Sequence, residues 1–125
     1  MSPAPIQEFE DINIVKQYIL LPILATYLER DIKSLEKSQL HLSQVYVKQY
    51  KLIQEKVFKD IYYISKQMRV RGLKVYEQQK TQKDIKAKYL CRGYRDTMNL
   101  SLNFIKVQVT LLLSEYLNID LAAEV

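Results

Sequence analysis

Tryptophan is missing from this sequence, cysteine and histidine occur once each, glycine twice and proline three times. Each scarcity removes a class of protein. A single thiol, Cys91, cannot staple its own chain, so stability has to come from a packed core, as it does in reduced cytoplasmic proteins. One imidazole, His41, cannot build a metal site. No Gly-rich phosphate loop, metal-ligand cluster or nucleophile elbow occurs, so the chain is expected to be no enzyme and to carry no cofactor. A Cys91–His41 dyad is the one conceivable nucleophile pair, but Cys91 falls on the inward phase of a predicted strand, where a thiol acts as a small inert hydrophobe.

Long apolar runs are also missing. Residues 18–28 are too few, and residues 98–113 are broken by Asn99, Asn103, Lys106 and Gln108, where a membrane span needs roughly 18 or more apolar residues. No membrane span is expected. The N-terminal stretch is acidic and lacks the basic start of a signal peptide, so the expected location is cytoplasmic. Two of the three prolines, Pro3 and Pro5, lie in the first five residues, which leaves long stretches free of helix breakers.

What is present fits one globular domain over 1–125: 48% of the residues are apolar and 26% charged, well clear of the composition that stays unfolded. Residues 1–11 are expected to be a flexible N-terminal segment and 12–71 a helical hairpin. In the first helix Ile14, Tyr18, Leu21, Leu24, Leu28, Ile32 and Leu35 recur at steps of three and four, with Pro22 either kinking that helix or starting a new one. After a turn containing His41, Tyr46, Tyr50, Ile53, Val57, Ile61, Ile64 and Met68 form the seam of a second, antiparallel helix that Gly72 ends. Over 73–92 the alternation of Ile85, Ala87, Tyr89 and Cys91 with polar neighbours favours a β-hairpin, with strands at 73–78 and 85–92 and a polar tip, although Gln and Lys in this stretch also suit a helix. Asp96 or Thr97 can cap a third helix over 96–118 that is apolar nearly all round. The fold class is therefore mainly α, α+β in strict terms: a three-helix bundle with two long antiparallel helices, a small β-hairpin and a central apolar third helix. Because two partners in so short a chain cannot cover such a helix, a homodimer is expected through Leu100, Phe104, Val107 and Leu111.

Charge carries the remaining signal. Residues 1–47 have four basic and six acidic side chains, residues 48–95 fourteen and four, and residues 96–125 one and four. Within 66–95 the candidates for holding a polyanion are Arg69, Arg71, Lys74, Lys80, Lys83, Lys86, Lys88, Arg92 and Arg95, with Tyr76, Tyr89 and Tyr94 as aromatic partner contacts. The expected function is that of a small non-enzymatic interaction, regulatory or assembly protein that meets an unspecified protein partner through helical surfaces and a basic hairpin. The alternative is nucleic-acid binding through the basic 66–95 region.

Overall fold

A computed structural model describes residues 7–122. Two long helices, α1 (Phe9–Lys37) and α2 (Ser43–Val70), precede three strands, β1 (Leu73–Lys80), β2 (Asp84–Cys91) and β3 (Tyr94–Ser101), and a shorter helix, α3 (Leu102–Tyr116). The strands form one antiparallel sheet in the order β1-β2-β3. The class is mixed α+β, with a three-stranded meander where a two-stranded hairpin was expected.

α1 is the central element. Val15, Ile19, Leu20, Leu24 and Leu28 are among its buried side chains, and they join Ile53 and Val57 of α2, Tyr89 of β2, Leu100 of β3 and Ile105 and Val109 of α3 in one cluster. The helix runs unbroken through Pro22, whose side chain is exposed, so the residue does not start a new helix. Proline brings no amide donor to the helix, and the Thr26 hydroxyl donates to the Pro22 carbonyl one turn back, at 3.0 Å. Of the expected flexible segment 1–11, residues 1–6 lie outside the described residues, and α1 begins at Phe9 with Asp11 fully buried.

The third strand corrects the expected helix over 96–118. Arg92 (φ 49) and Gly93 (φ 88) both take left-handed conformations and form a two-residue connection between Cys91 and Tyr94, which are paired. Such a turn matches the twist of an antiparallel ladder and sends the chain back alongside β2. Met98 and Leu100, two apart, then point to the core while Thr97 and Asn99 alternate with them at the surface. The helix starts only at Leu102, capped by Ser101, whose hydroxyl accepts from the Phe104 amide at 3.1 Å. α3 is not the central helix: Ile105, Val109 and Ser114 are its buried residues, and its remaining apolar side chains are half-buried or exposed.

The β1–β2 tip lacks an Asn-Gly turn and is closed by Thr81 instead. Its hydroxyl oxygen accepts from the amides of Lys83 and Asp84, both at 3.1 Å, and its amide donates to the Asp84 carbonyl at 2.9 Å. An extra residue, Tyr76, sits at a bulge in β1, so that Val75 pairs with Tyr89 but Glu77 pairs with Lys88. The slip turns Glu77 to the outer face of the sheet, where it meets Lys88 Nζ at 3.0 Å.

Candidate functional site

The sheet has two chemically distinct faces. Ile85, Ala87, Tyr89 and Cys91 of β2 are buried, while Lys86, Lys88 and Leu90 between them reach the opposite side. Cross-strand register extends that outer face in rows: Lys74, Leu90 and Arg95; Glu77, Lys88 and Thr97; Gln79, Lys86 and Asn99. With strands about 5 Å apart and same-face residues about 7 Å apart along each strand, Lys74, Lys86, Lys88 and Arg95 occupy a patch roughly 10 by 15 Å. Two carboxylates share the face, Glu77, which is paired with Lys88, and Asp84, two residues before Lys86 in the row with Ser101. Lys80 and Lys83 stand exposed at the β1–β2 tip. Lys83 is fixed there, since its carbonyl accepts from the Leu102 amide at the start of α3, at 2.9 Å.

The other predicted cations are used differently. Arg71, after the end of α2, and Arg92, in the β2–β3 turn, converge on the buried carboxylate of Asp11. Arg71 donates to Asp11 Oδ1 at 3.0 Å and Arg92 to Oδ2 at 2.9 Å, while the Glu8 amide donates to Oδ2 at 2.9 Å. Arg92 also donates to the Arg71 carbonyl at 3.0 Å. The Arg92 hydrogen bond is the main force holding the Asp11 carboxyl down at about 2, and the two guanidiniums are pushed up in turn, chiefly by their hydrogen bonds to Asp11. This cluster ties together the start of α1, the end of α2 and the sheet. It is a structural latch and removes two residues from the predicted polyanion set. Sequence reasoning missed Asp11, although acidic residues directly before an apolar helical pattern are a first-turn signature. Arg69 remains exposed on α2.

The three tyrosines proposed as partner contacts do not share a surface. Tyr76 and Tyr94 are exposed, but Tyr89 is 2% exposed. Its hydroxyl donates to Gln7 Oε1 at 2.8 Å, with Asp96 Oδ2 at 3.4 Å. Burial, then the Asp96 charge, pushes this phenol up to about 12. The four proposed interface residues separate as well. Leu100 lies in β3 and is buried, Phe104 is half-buried beneath Lys16, whose ammonium sits 5.5 Å from the ring centre, and only Val107 and Leu111 are exposed, one turn apart on α3.

Cys91 and His41 are far apart. The Cys91 thiol is buried 4.0 Å from Asp11 Oδ2, near the start of α1, and burial pushes its pKa up. His41 follows the other end of α1, a helix of 29 residues, and at 1.5 Å per residue the two are about 40 Å apart. Among the described residues no group of three or more His, Cys, Asp or Glu side chains could hold a metal, and no helix is long and apolar enough to cross a membrane. A groove of about 460 Å³ between α1, α2 and α3 is lined by Leu21, Ile64 and Leu112 beside Asp60, Glu115 and Tyr116. The Tyr116 hydroxyl donates to the Asp60 carboxylate, and burial raises its pKa first of all.

The chain belongs to the YhjD protein family, whose model matches residues 6–121. No curated protein and no solved structure matches it.

Proposed function

We propose that this protein is a non-enzymatic interaction protein whose working surface is the open outer face of the sheet, and that this face docks an acidic segment of a partner protein. The observation that carries the reading is an excess of positive charge: Lys74, Lys86, Lys88 and Arg95 share the face with two carboxylates, Glu77, which is paired with Lys88, and Asp84 at the tip end of β2. The backbone beneath is held rigid by pairing on both sides of β2, so the cations are presented at fixed spacing and little ordering is needed on binding. Leu90, in the row between Lys74 and Arg95, offers an apolar contact at one end. Electrostatic complementarity of this kind steers encounter and selects partners by charge pattern.

A second reading, direct nucleic-acid binding, is favoured by the same cations together with Lys80 and Lys83. It rests on phosphate contacts, with the exposed Tyr76 at the β1 bulge beside the rows of the face, and it predicts a log-log salt slope of about −0.9 per phosphate neutralised on duplex DNA. One titration separates the two. Fluorescence anisotropy is followed with a labelled polyglutamate peptide and with a labelled DNA duplex, for the wild type and for Lys86→Glu/Arg95→Glu. The reading expects the peptide to bind at low ionic strength and the double variant to lose roughly tenfold or more in affinity. Tighter binding of the duplex moves the function to nucleic acid, and undiminished binding by the variant removes the sheet face from both. Self-association through Val107 and Leu111 is a separate expectation of the same reading, checked by light scattering on the wild type and on Val107→Lys/Leu111→Lys.

A further inference from the structure

The outward side of α2 carries a second surface that the sheet-based reading does not use. Six cations, Lys48, Lys51, Lys56, Lys59, Lys66 and Arg69, are exposed along it, against Glu55. Val45, Leu52, Phe58, Tyr62, Tyr63 and Val70 are exposed between them, at 40% or more for each and 82% for Val70. At 100° per residue, Val45, Leu52, Tyr63 and Val70 fall within about 20° of one line along the helix, and Lys56 and Lys59 flank that line by about 30° on either side. The line extends roughly 37 Å, the rise of the 25 residues between its ends. On the flank facing α3, Asp60 accepts from Tyr116. The exposed side of α1 is balanced by contrast, with Glu29, Asp31 and Glu36 beside Arg30, Lys33 and Lys37, so the excess belongs to α2 and not to the helical hairpin at large.

We propose that this face of α2 lies on the surface of an anionic lipid bilayer. The pattern decides among three occupants. A protein interface needs a contiguous dry centre depleted of lysine, whereas here Lys56 and Lys59 crowd the middle of the apolar line and Lys48 and Lys66 stand about 50° to one side of it. A phosphodiester backbone satisfies the cations but offers nothing to Val45, Leu52 and Val70. A bilayer surface suits both sets: the aliphatic side chains enter the acyl boundary, tyrosines place ring and hydroxyl on either side of it, and lysines extend along apolar neighbours to reach headgroup phosphates. Lys66 already takes such a position, its ammonium 4.5 Å from the Tyr62 ring centre. The helix lies in the plane of the surface and does not span it, in keeping with the many charges on this face.

The test is co-sedimentation of the full chain with vesicles of phosphatidylcholine alone and of phosphatidylcholine mixed with phosphatidylglycerol, with circular dichroism confirming that each variant is folded. The wild type is expected to sediment with the mixed vesicles and at least roughly tenfold less with the neutral ones, with binding weakened by salt. Lys56→Glu/Lys59→Glu should lose roughly a hundredfold in partitioning to the mixed vesicles. Leu52→Ser/Val70→Ser should also weaken it, with the charge intact. Lys86→Glu/Arg95→Glu should leave it within about twofold, which keeps this result independent of the sheet face. Equal binding to neutral vesicles, full binding by Lys56→Glu/Lys59→Glu, or a wild type that ignores the mixed vesicles while binding a DNA duplex through the α2 lysines overturns the proposal.

Discussion

Replacing Asp11 by Asn keeps the size of the side chain and removes its charge, which makes it the sharpest probe of what joins the helices to the sheet. The carboxylate is inaccessible to solvent and has two guanidinium partners and a backbone donor. Its folded pKa is about 2 against 3.8 in the unfolded chain, a difference that corresponds to roughly 2 kcal/mol. Arg71 and Arg92 keep 27% and 31% of their side chains in solvent, so screening reduces the expected loss to roughly 1 to 2 kcal/mol. For a urea slope near the middle of the usual range, that moves the unfolding midpoint down by roughly 1 M, read by circular dichroism at the helix band. The pH dependence supplies an independent check. A lowered folded pKa means that the stabilisation is complete above pH 4 and disappears as the pH falls toward 2, so the wild type should lose more stability over that interval than Asp11→Asn does. Adding Arg92→Gln to each background should show a coupling of similar size. Equal midpoints for wild type and Asp11→Asn, or parallel pH profiles, would mean that the cluster contributes nothing net and that packing of α1 alone holds the sheet.

Three further outcomes follow from local geometry. Tyr89→Phe removes a hydroxyl that donates to Gln7 and should cost about 1 kcal/mol. Because the folded phenol is raised to about 12 from 10, its contribution is complete below pH 10 and is lost as the pH climbs toward 12. Phenolate absorbance at 295 nm should show a late-titrating fraction among the ten tyrosines that shrinks in the variant, and an unchanged curve would place Tyr89 in solvent. Gly72→Ala should destabilise more than Gly93→Ala, because both glycines have positive φ but a Cβ at Gly72 comes within 3.0 Å of Arg92 Cγ whereas one at Gly93 meets nothing within 4 Å. Thermal melts should give about 1 kcal/mol for Gly93→Ala and a larger loss for Gly72→Ala, and the reverse order would contradict the turn geometry. Cys91 should be inert to a thiol-reactive dye in the folded protein and stoichiometrically labelled in denaturant, since burial raises its pKa and shields it. Labelling within minutes in native buffer would refute that burial.

The helices were legible where one face alone is apolar. Of the seam expected for α2, Ile53, Val57 and Met68 are buried and Tyr50, Ile61 and Ile64 half-buried, while Tyr46, near its start, is exposed. The failure lay between residues 94 and 101, where Met98 and Leu102 fit a helical stripe while Met98 and Leu100 fit strand alternation, and so short a span does not decide between them. Arg92-Gly93 between two alternating runs was the available signal for a tight hairpin turn. Ending the second strand at residue 92 without reading Arg92-Gly93 as a turn lost β3 and made the expected third helix longer and greasier than α3 is. The inflated circumference of that helix was the whole reason for expecting Leu100 and Phe104 at a dimer interface. Asp11 was hidden for a different reason: its partners Arg71 and Arg92 lie 60 and 81 residues away, and no local pattern announces so distant a pairing.

The same long-range pairing changes what the basic middle of the chain means. Along the sequence the fourteen cations of residues 48–95 run as one tract, and a tract suggests one patch. Folding divides them. Six stand on α2, six on the sheet and its tip, and Arg71 and Arg92, at the two junctions, are drawn inward to Asp11. Asp11, with Glu8 and Glu10 beside Arg71, offsets the two like charges where the end of α2 meets the β2–β3 turn, and repulsion there would otherwise push helix and sheet apart. Asp11→Asn should therefore act on binding as well as on stability. It leaves every cation of both proposed surfaces in place but frees the joint between them, so any ligand long enough to touch both should lose affinity, while the polyglutamate peptide on the sheet alone, or the vesicle on α2 alone, should not.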